Sequence, residues 1–157
     1  MVYTGRGSTF KVLFPAVETA AEQPESPADP PPIWQGSGTV LVVDDETAVR
    51  DLAKEIFESS GFKVLTANDG RQGVQTFRTH ADEIAAVLLD LTMPHMDGEE
   101  AFREMRRIRA DIRVILSSGY NEQDATHRFA GKGLAGFIQK PYRVDELITS
   151  LRKVLEA

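Results

Sequence analysis

A chain of 157 residues with 41% hydrophobic and 27% charged side chains is long enough for one domain with a true core plus a tail, and too short for two comfortable domains. Its 24 acidic residues against 18 basic ones leave a formal net charge of −6, and no lysine and arginine block is long enough to neutralise a run of phosphates, so no nucleic-acid partner is expected. Cysteine is absent, which removes disulfides and thiolate metal sites and fits a reducing, cytoplasmic compartment; no apolar run reaches the roughly 18 residues of a membrane helix and no signal-peptide core is present, so no membrane contact by this chain is expected.

Residues 1–16 form a short head in which Gly5 and Gly7 precede the apolar positions Phe10, Val12, Leu13 and Phe14, a turn followed by a strand on the residues alone. Residues 17–35 hold Pro24, Pro27 and Pro30 to Pro32 among four acidic residues, a composition that stays extended because it buries too little to offset ordering entropy. The body, 36–157, opens with the β-branched run 39–43, a strand buried on both faces. Val49, Leu52, Ala53, Ile56 and Phe57 then repeat at helical spacing until Gly61. The same alternation recurs four times: strand 63–67 with helix 71–78, 85–89 with 99–109, 113–117 with a weaker helix 122–129, and 135–139 with 144–155, whose stripe is Val144, Leu147, Ile148, Leu151, Val154 and Leu155. Five such units imply right-handed crossovers and a doubly wound α/β domain with a five-stranded parallel sheet. Its ligand crevice is expected beyond the carboxyl ends of the strands.

That rule selects the residues to read for chemistry. Asp44 and Asp45 follow the first strand, Asp90 follows the third, Ser117 and Ser118 close the fourth, and Lys140-Pro141 closes the fifth. Taken singly, an acidic pair after a strand also starts turns and caps helices. Three carboxylates and a lysine converging on one crevice are less ordinary, because like charges raise each other's pKa unless a cation compensates. Oxygen donors with room left for water and phosphate oxygens describe Mg²⁺ better than a fully caged Ca²⁺. His80, His95 and His127 stand in no donor-helix or metal context.

The segments Val42 to Glu46, Leu88 to Gly98, Ile115 to Tyr120 and Phe137 to Pro141 resemble the receiver domain of bacterial response regulators, in the family's order and near its spacings. The resemblance implies the flavodoxin-like strand order 2-1-3-4-5. It implies Asp90 as the nucleophile that takes a phosphoryl group from phosphohistidine, with Mg²⁺ held by Asp44, Asp45, Asp90 and the backbone carbonyl of Thr92. Lys140 would contact a phosphoryl oxygen from a cis Lys-Pro bond, Ser118 would be the switch hydroxyl and Phe137 the aromatic that moves with it. Thr92 and Tyr120 would govern the lifetime of the acyl phosphate, and Gly98 would supply a positive φ in the loop after Asp90. Partners would be a histidine kinase or a histidine phosphotransfer protein, with a homodimer as a further candidate assembly. Such a domain is no separate enzyme, although it catalyses its own phosphoryl transfer and hydrolysis.

Gly5-Arg6-Gly7-Ser8-Thr9-Phe10 resembles the last glycine-rich box of a histidine-kinase ATP-binding domain, followed by its closing strand. A kinase remnant at 1–16, a linker at 17–35 and a receiver at 36–157 is the order of a hybrid histidine kinase, whose parent chain could be membrane-anchored. Two other readings stand beside this one. A haloacid-dehalogenase-type phosphatase would carry D-x-D after its first strand, where this chain has Asp44-Asp45-Glu46. A receiver-shaped module that never carries phosphate would have no need of all of Asp44, Asp45, Asp90, Ser118 and Lys140.

Overall fold

The computed structural model describes residues 34–119 and 121–157; the head, the linker through Ile33 and Tyr120 lie outside them. Strands and helices alternate strictly: β1 Thr39–Val43, α1 Thr47–Ser59, β2 Lys63–Ala67, α2 Gly70–Thr79, β3 Ile84–Asp90, α3 Gly98–Ile108, β4 Arg113–Ser118, α4 Glu122–Phe129, β5 Gly136–Gln139 and α5 Val144–Glu156. All four pairings are parallel and the order is β2-β1-β3-β4-β5, the doubly wound sheet expected.

Burial explains which strands were continuously apolar. β1 is buried throughout and β3 nearly so, because each lies between two other strands and under helices on both faces, whereas the edge strands β2 and β5 are only partly covered. Successive side chains point to opposite faces. Leu41 and Val43 therefore join Val74, Phe77, Phe102 and Met105 on the α2–α3–α4 side, while Val40 and Val42 join Ile56, Phe57, Leu147 and Leu151 on the α1–α5 side.

Two members of the helical stripes depart from expectation. Leu52 is 41% exposed and Val144 54% exposed. Val144 is the first residue of α5, level with the carboxyl edge of the sheet and past most of the strand layer it would pack on. α4 buries only Ala125 and Phe129 and ends before Gly131 and Gly133, both at positive φ. It is held to α3 by Phe129, set edge-on to Phe102 at 5.7 Å, and by Glu99, which accepts from Arg128 Nη2 and from Lys132 Nζ, both at 2.9 Å, contacts that hold the Glu99 carboxyl below the usual range.

Trp34 and Gln35, placed in the linker on composition, rest on the α1–β2 turn. The Trp34 ring centroid lies 5.5 Å from that of Phe62, Gln35 Nε2 donates to Ser59 O at 3.4 Å and Gly36 N to Ser60 O at 2.9 Å. Gly36 is required there, since a Cβ would sit 2.0 Å from the Phe62 ring.

Candidate functional site

Register brings the polar residues to one edge. Asp90 pairs with Ser117 and Ser118 with Gln139, and the ladder continues one step further through Leu91 N to Ser117 O at 2.8 Å. Asp90 and Ser118 are thus the last residues of their strands. Asp44, just past β1, is 1% exposed and Asp90 is 4% exposed, while Asp45 next to Asp44 faces solvent. One carboxylate oxygen from each of the three lies within 4.8 Å of the other two. Lys140 Nζ reaches across from the end of β5 to Asp44 Oδ2 at 2.6 Å, Asp90 Oδ1 at 3.4 Å and Glu46 Oε1 at 3.7 Å. Thr92 N donates to Asp90 Oδ1 at 3.3 Å. Asp45, Glu46, Asp90, Thr92 and Lys140 border an open crevice of about 730 Å³ that is also walled by Val49, Leu52, Pro141 and Tyr142.

Asp90 is buried beside a second carboxylate, and the two share one ammonium. Burial, reinforced by the negative charge of Asp44, pushes the Asp90 carboxyl up from 3.8 to about 7; Lys140 and the Thr92 N–H pull the other way and lose. Burial disfavours the Lys140 ammonium, but contact with Asp44 and the charges of Asp90 and Asp44 outweigh it, so its pKa ends above the ordinary lysine value. Burial raises the Tyr142 phenol to about 12 and keeps it neutral. Asp44 Oδ2 is buried with the Lys140 ammonium, 2.6 Å away, as its partner, so the carboxylates of Asp44, Asp45 and Asp90 share one lysine. A cluster of hard oxygen donors short of positive charge suits a small divalent cation.

The loop after β3 is folded tightly against the end of that strand. Gly98 N donates to Leu91 O at 2.9 Å, and a Cβ on Gly98 would stand 2.3 Å from Asp90 O. Close approach, and not a positive φ, is what demands glycine there. The positive φ in this loop falls on His95 at 69°, centred in a three-residue turn closed by Met96 N to Pro94 O at 2.9 Å. The Lys140-Pro141 peptide is cis, as the resemblance implied.

A family model, the response regulator receiver domain, matches residues 40–152. The chain belongs to that receiver-domain family. Among curated receiver relatives, the chemotaxis protein CheY of Bacillus subtilis is 33% identical over 74% of this chain and 96% of its own length. The sensor kinase CckA of Brucella abortus is 32% identical over 97% of this chain, which spans only 17% of that kinase. Among solved receiver structures, CheY in a CheX–CheY–BeF₃–Mg²⁺ complex from Borrelia burgdorferi superposes with a TM-score of 0.71 at 31% identity, covering 74% of this chain and 88% of that one. The receiver domain of the hybrid histidine kinase CckA gives 0.64 at 28%, over 75% and 99%.

Of the residues singled out in sequence, Asp45, Asp90, Thr92 and Lys140 border this receiver crevice, Asp44 lies buried behind it in the same carboxylate cluster, and Ser118 ends the neighbouring strand. Phe137 is partly buried against the core on the α2–α3–α4 side. Tyr120 and the kinase-like head fall outside the described residues. Sequence reasoning passed over Glu46, Tyr142 and Arg50. Glu46 directly follows the acidic pair and Tyr142 directly follows Lys140-Pro141, so adjacency was their signal; Arg50 had none.

Proposed function

We propose that Asp90 is the phosphoacceptor of this receiver domain, taking a phosphoryl group from a phosphohistidine of a histidine kinase or phosphotransfer protein. The observation that carries the reading is the juxtaposition of a buried, strand-terminal Asp90 with Lys140 at 3.4 Å and two further carboxylates at the open crevice. An Asp90 carboxylate oxygen attacks phosphorus, the bond to the donor imidazole nitrogen breaks, and the product is an acyl phosphate. Asp44, Asp45 and Asp90, with the Thr92 carbonyl, would hold Mg²⁺, which when bound neutralises charge shared by acceptor and phosphoryl oxygens. Lys140, already oriented by Asp44 and Asp90, moves toward a phosphoryl oxygen, and the Ser118 hydroxyl turns to another. Phe137 follows Ser118, so that a local charge change alters the surface of the fourth and fifth βα units. Thr92 borders the path of attacking water, and Tyr120 is assigned the same role from its place in sequence.

The parent protein would be a hybrid histidine kinase, cytoplasmic at this domain. Similarity to the CckA sensor kinase supports this, because it runs through the head and linker and not only the receiver. No helix among the described residues is long and apolar enough to cross a membrane. Labelling with acetyl phosphate in Mg²⁺ tests the assignment: wild type should acquire acid-stable, hydroxylamine-sensitive label and Asp90→Asn none. Undiminished label on Asp90→Asn would place the acceptor elsewhere, and no label on wild type with beryllofluoride also silent would make the domain a phosphorylation-independent interaction module.

A further inference from the structure

The β1–α1 loop carries Asp44 and Asp45, yet it lacks the usual means of fastening a helix start. Glu46, at the N-cap of α1, makes no side-chain cap bond, and no acid stands in the first turn. Arg50 fastens it instead. Its Nη1 donates to the main-chain carbonyl of Asp44 at 2.6 Å and its Nη2 to Thr47 Oγ1 at 3.1 Å, from a half-buried position one turn into α1.

Asp44 is consequently held from several sides: its amide donates to Ala67 O at 3.2 Å, its Oδ1 accepts from Glu46 N at 2.9 Å, its Oδ2 meets Lys140 at 2.6 Å, and its carbonyl meets Arg50. Asp45 is different. Its exposed carboxylate joins the three-carboxylate cluster without an ion pair or hydrogen bond of its own among the described residues, so the backbone from which it departs is what constrains its reach. The Asp44 carbonyl and the Asp45 amide belong to one planar peptide unit. Pinning that carbonyl fixes the plane from which the Asp45 Cα and side chain depart.

We propose that Arg50 is a positioning residue of the divalent-cation site, acting through the Asp44–Asp45 peptide plane to keep the Asp45 carboxylate beside those of Asp44 and Asp90. The inference rests on reading that cluster as a Mg²⁺ site. A planar guanidinium spans carbonyl and hydroxyl together in a fixed fork, which a lysine ammonium does not reproduce.

The test is calorimetric titration of the full chain with Mg²⁺ alone, together with melting temperatures in EDTA. Arg50→Ala should bind Mg²⁺ at least about fivefold more weakly, and Arg50→Lys should recover only part of that loss. In an Asp45→Asn background, Arg50→Ala should weaken binding by less than about twofold, because two changes that act through one ligand do not add. Mg²⁺ affinity of Arg50→Ala within twofold of wild type overturns the proposal, as does an equal loss in both backgrounds, which would mark a general role in loop folding. Wild type that fails to bind Mg²⁺ overturns the metal-site reading and this inference with it; normal binding by both wild type and Arg50→Ala overturns the inference alone.

Discussion

The raised Asp90 carboxyl would make Mg²⁺ binding at the proposed site a proton-linked event whose size follows from the geometry. With its pKa near 7, the group is about one-eleventh ionised at pH 6 and about ten-elevenths ionised at pH 8. A cation that needs the ionised form must displace the proton, so affinity should rise about tenfold from pH 6 to pH 8 and level off above. Calorimetry at these two pH values, in buffers of different ionisation enthalpy, reads both the affinity and the proton released. The metal-free fold carries the opposite sign. Its Asp90 pKa lies above the unfolded value of 3.8, so the native state holds the proton more tightly; stability is fully present below about pH 4, falls as pH rises toward about 7, and is flat beyond. At about 1.4 kcal/mol per pH unit the loss is bounded near 4 kcal/mol. Asp90→Asn removes this dependence and should be the more stable protein at pH 8 in EDTA. A Mg²⁺ affinity constant within twofold between pH 6 and 8, or the same pH slope in Asp90→Asn, would refute the reasoning.

Lys140→Met leaves Asp44 and Asp90 buried without their ammonium and should lower stability by about 2–4 kcal/mol in EDTA, with saturating Mg²⁺ restoring part of it; urea unfolding with and without metal checks this, and an unchanged midpoint in EDTA would contradict it. His95→Gly relieves a left-handed conformation that a Cβ disfavours by about 1–2 kcal/mol, against roughly 0.5–1 kcal/mol of added chain entropy, so the melting temperature should rise by a few degrees; a fall would show that the imidazole contributes more than the strain removes. Trp34→Ala removes the ring packed on Phe62 and should cost about 1 kcal/mol in thermal unfolding of the full chain; no change would return Trp34 to the linker.

Legibility in sequence followed the range of the interaction. The runs at β1 and β3, the helical stripes and the order of units are written locally, because burial on two faces leaves no polar position and a helix packed on a sheet repeats every three to four residues. Those patterns predicted the architecture and, through the strand-end rule, brought Asp44, Asp45, Asp90, Ser118 and Lys140 to one edge. They could not say what covers each apolar position: Leu52 and Val144 share their stripes with buried residues, and only the placement of neighbouring elements leaves them at the surface.

Other features were decided wholly by tertiary structure, because both partners matter and only one is visible at a time. Gly98 was legible as a glycine, but its reason, the Asp90 carbonyl pressed against its Cα, belongs to the fold of the loop, and the positive φ went to His95 instead. Glu99 reads as one more surface acid until Arg128 and Lys132 are brought to it from across α4. The same holds for the chemistry. Sequence alone determined which ionisable residues stand at the strand ends; that Asp90 is buried beside Asp44 and pushed to about 7 follows only when the register of β1, β3 and β5 closes the distances, since electrostatic coupling depends on separation and desolvation, neither of which a linear order contains.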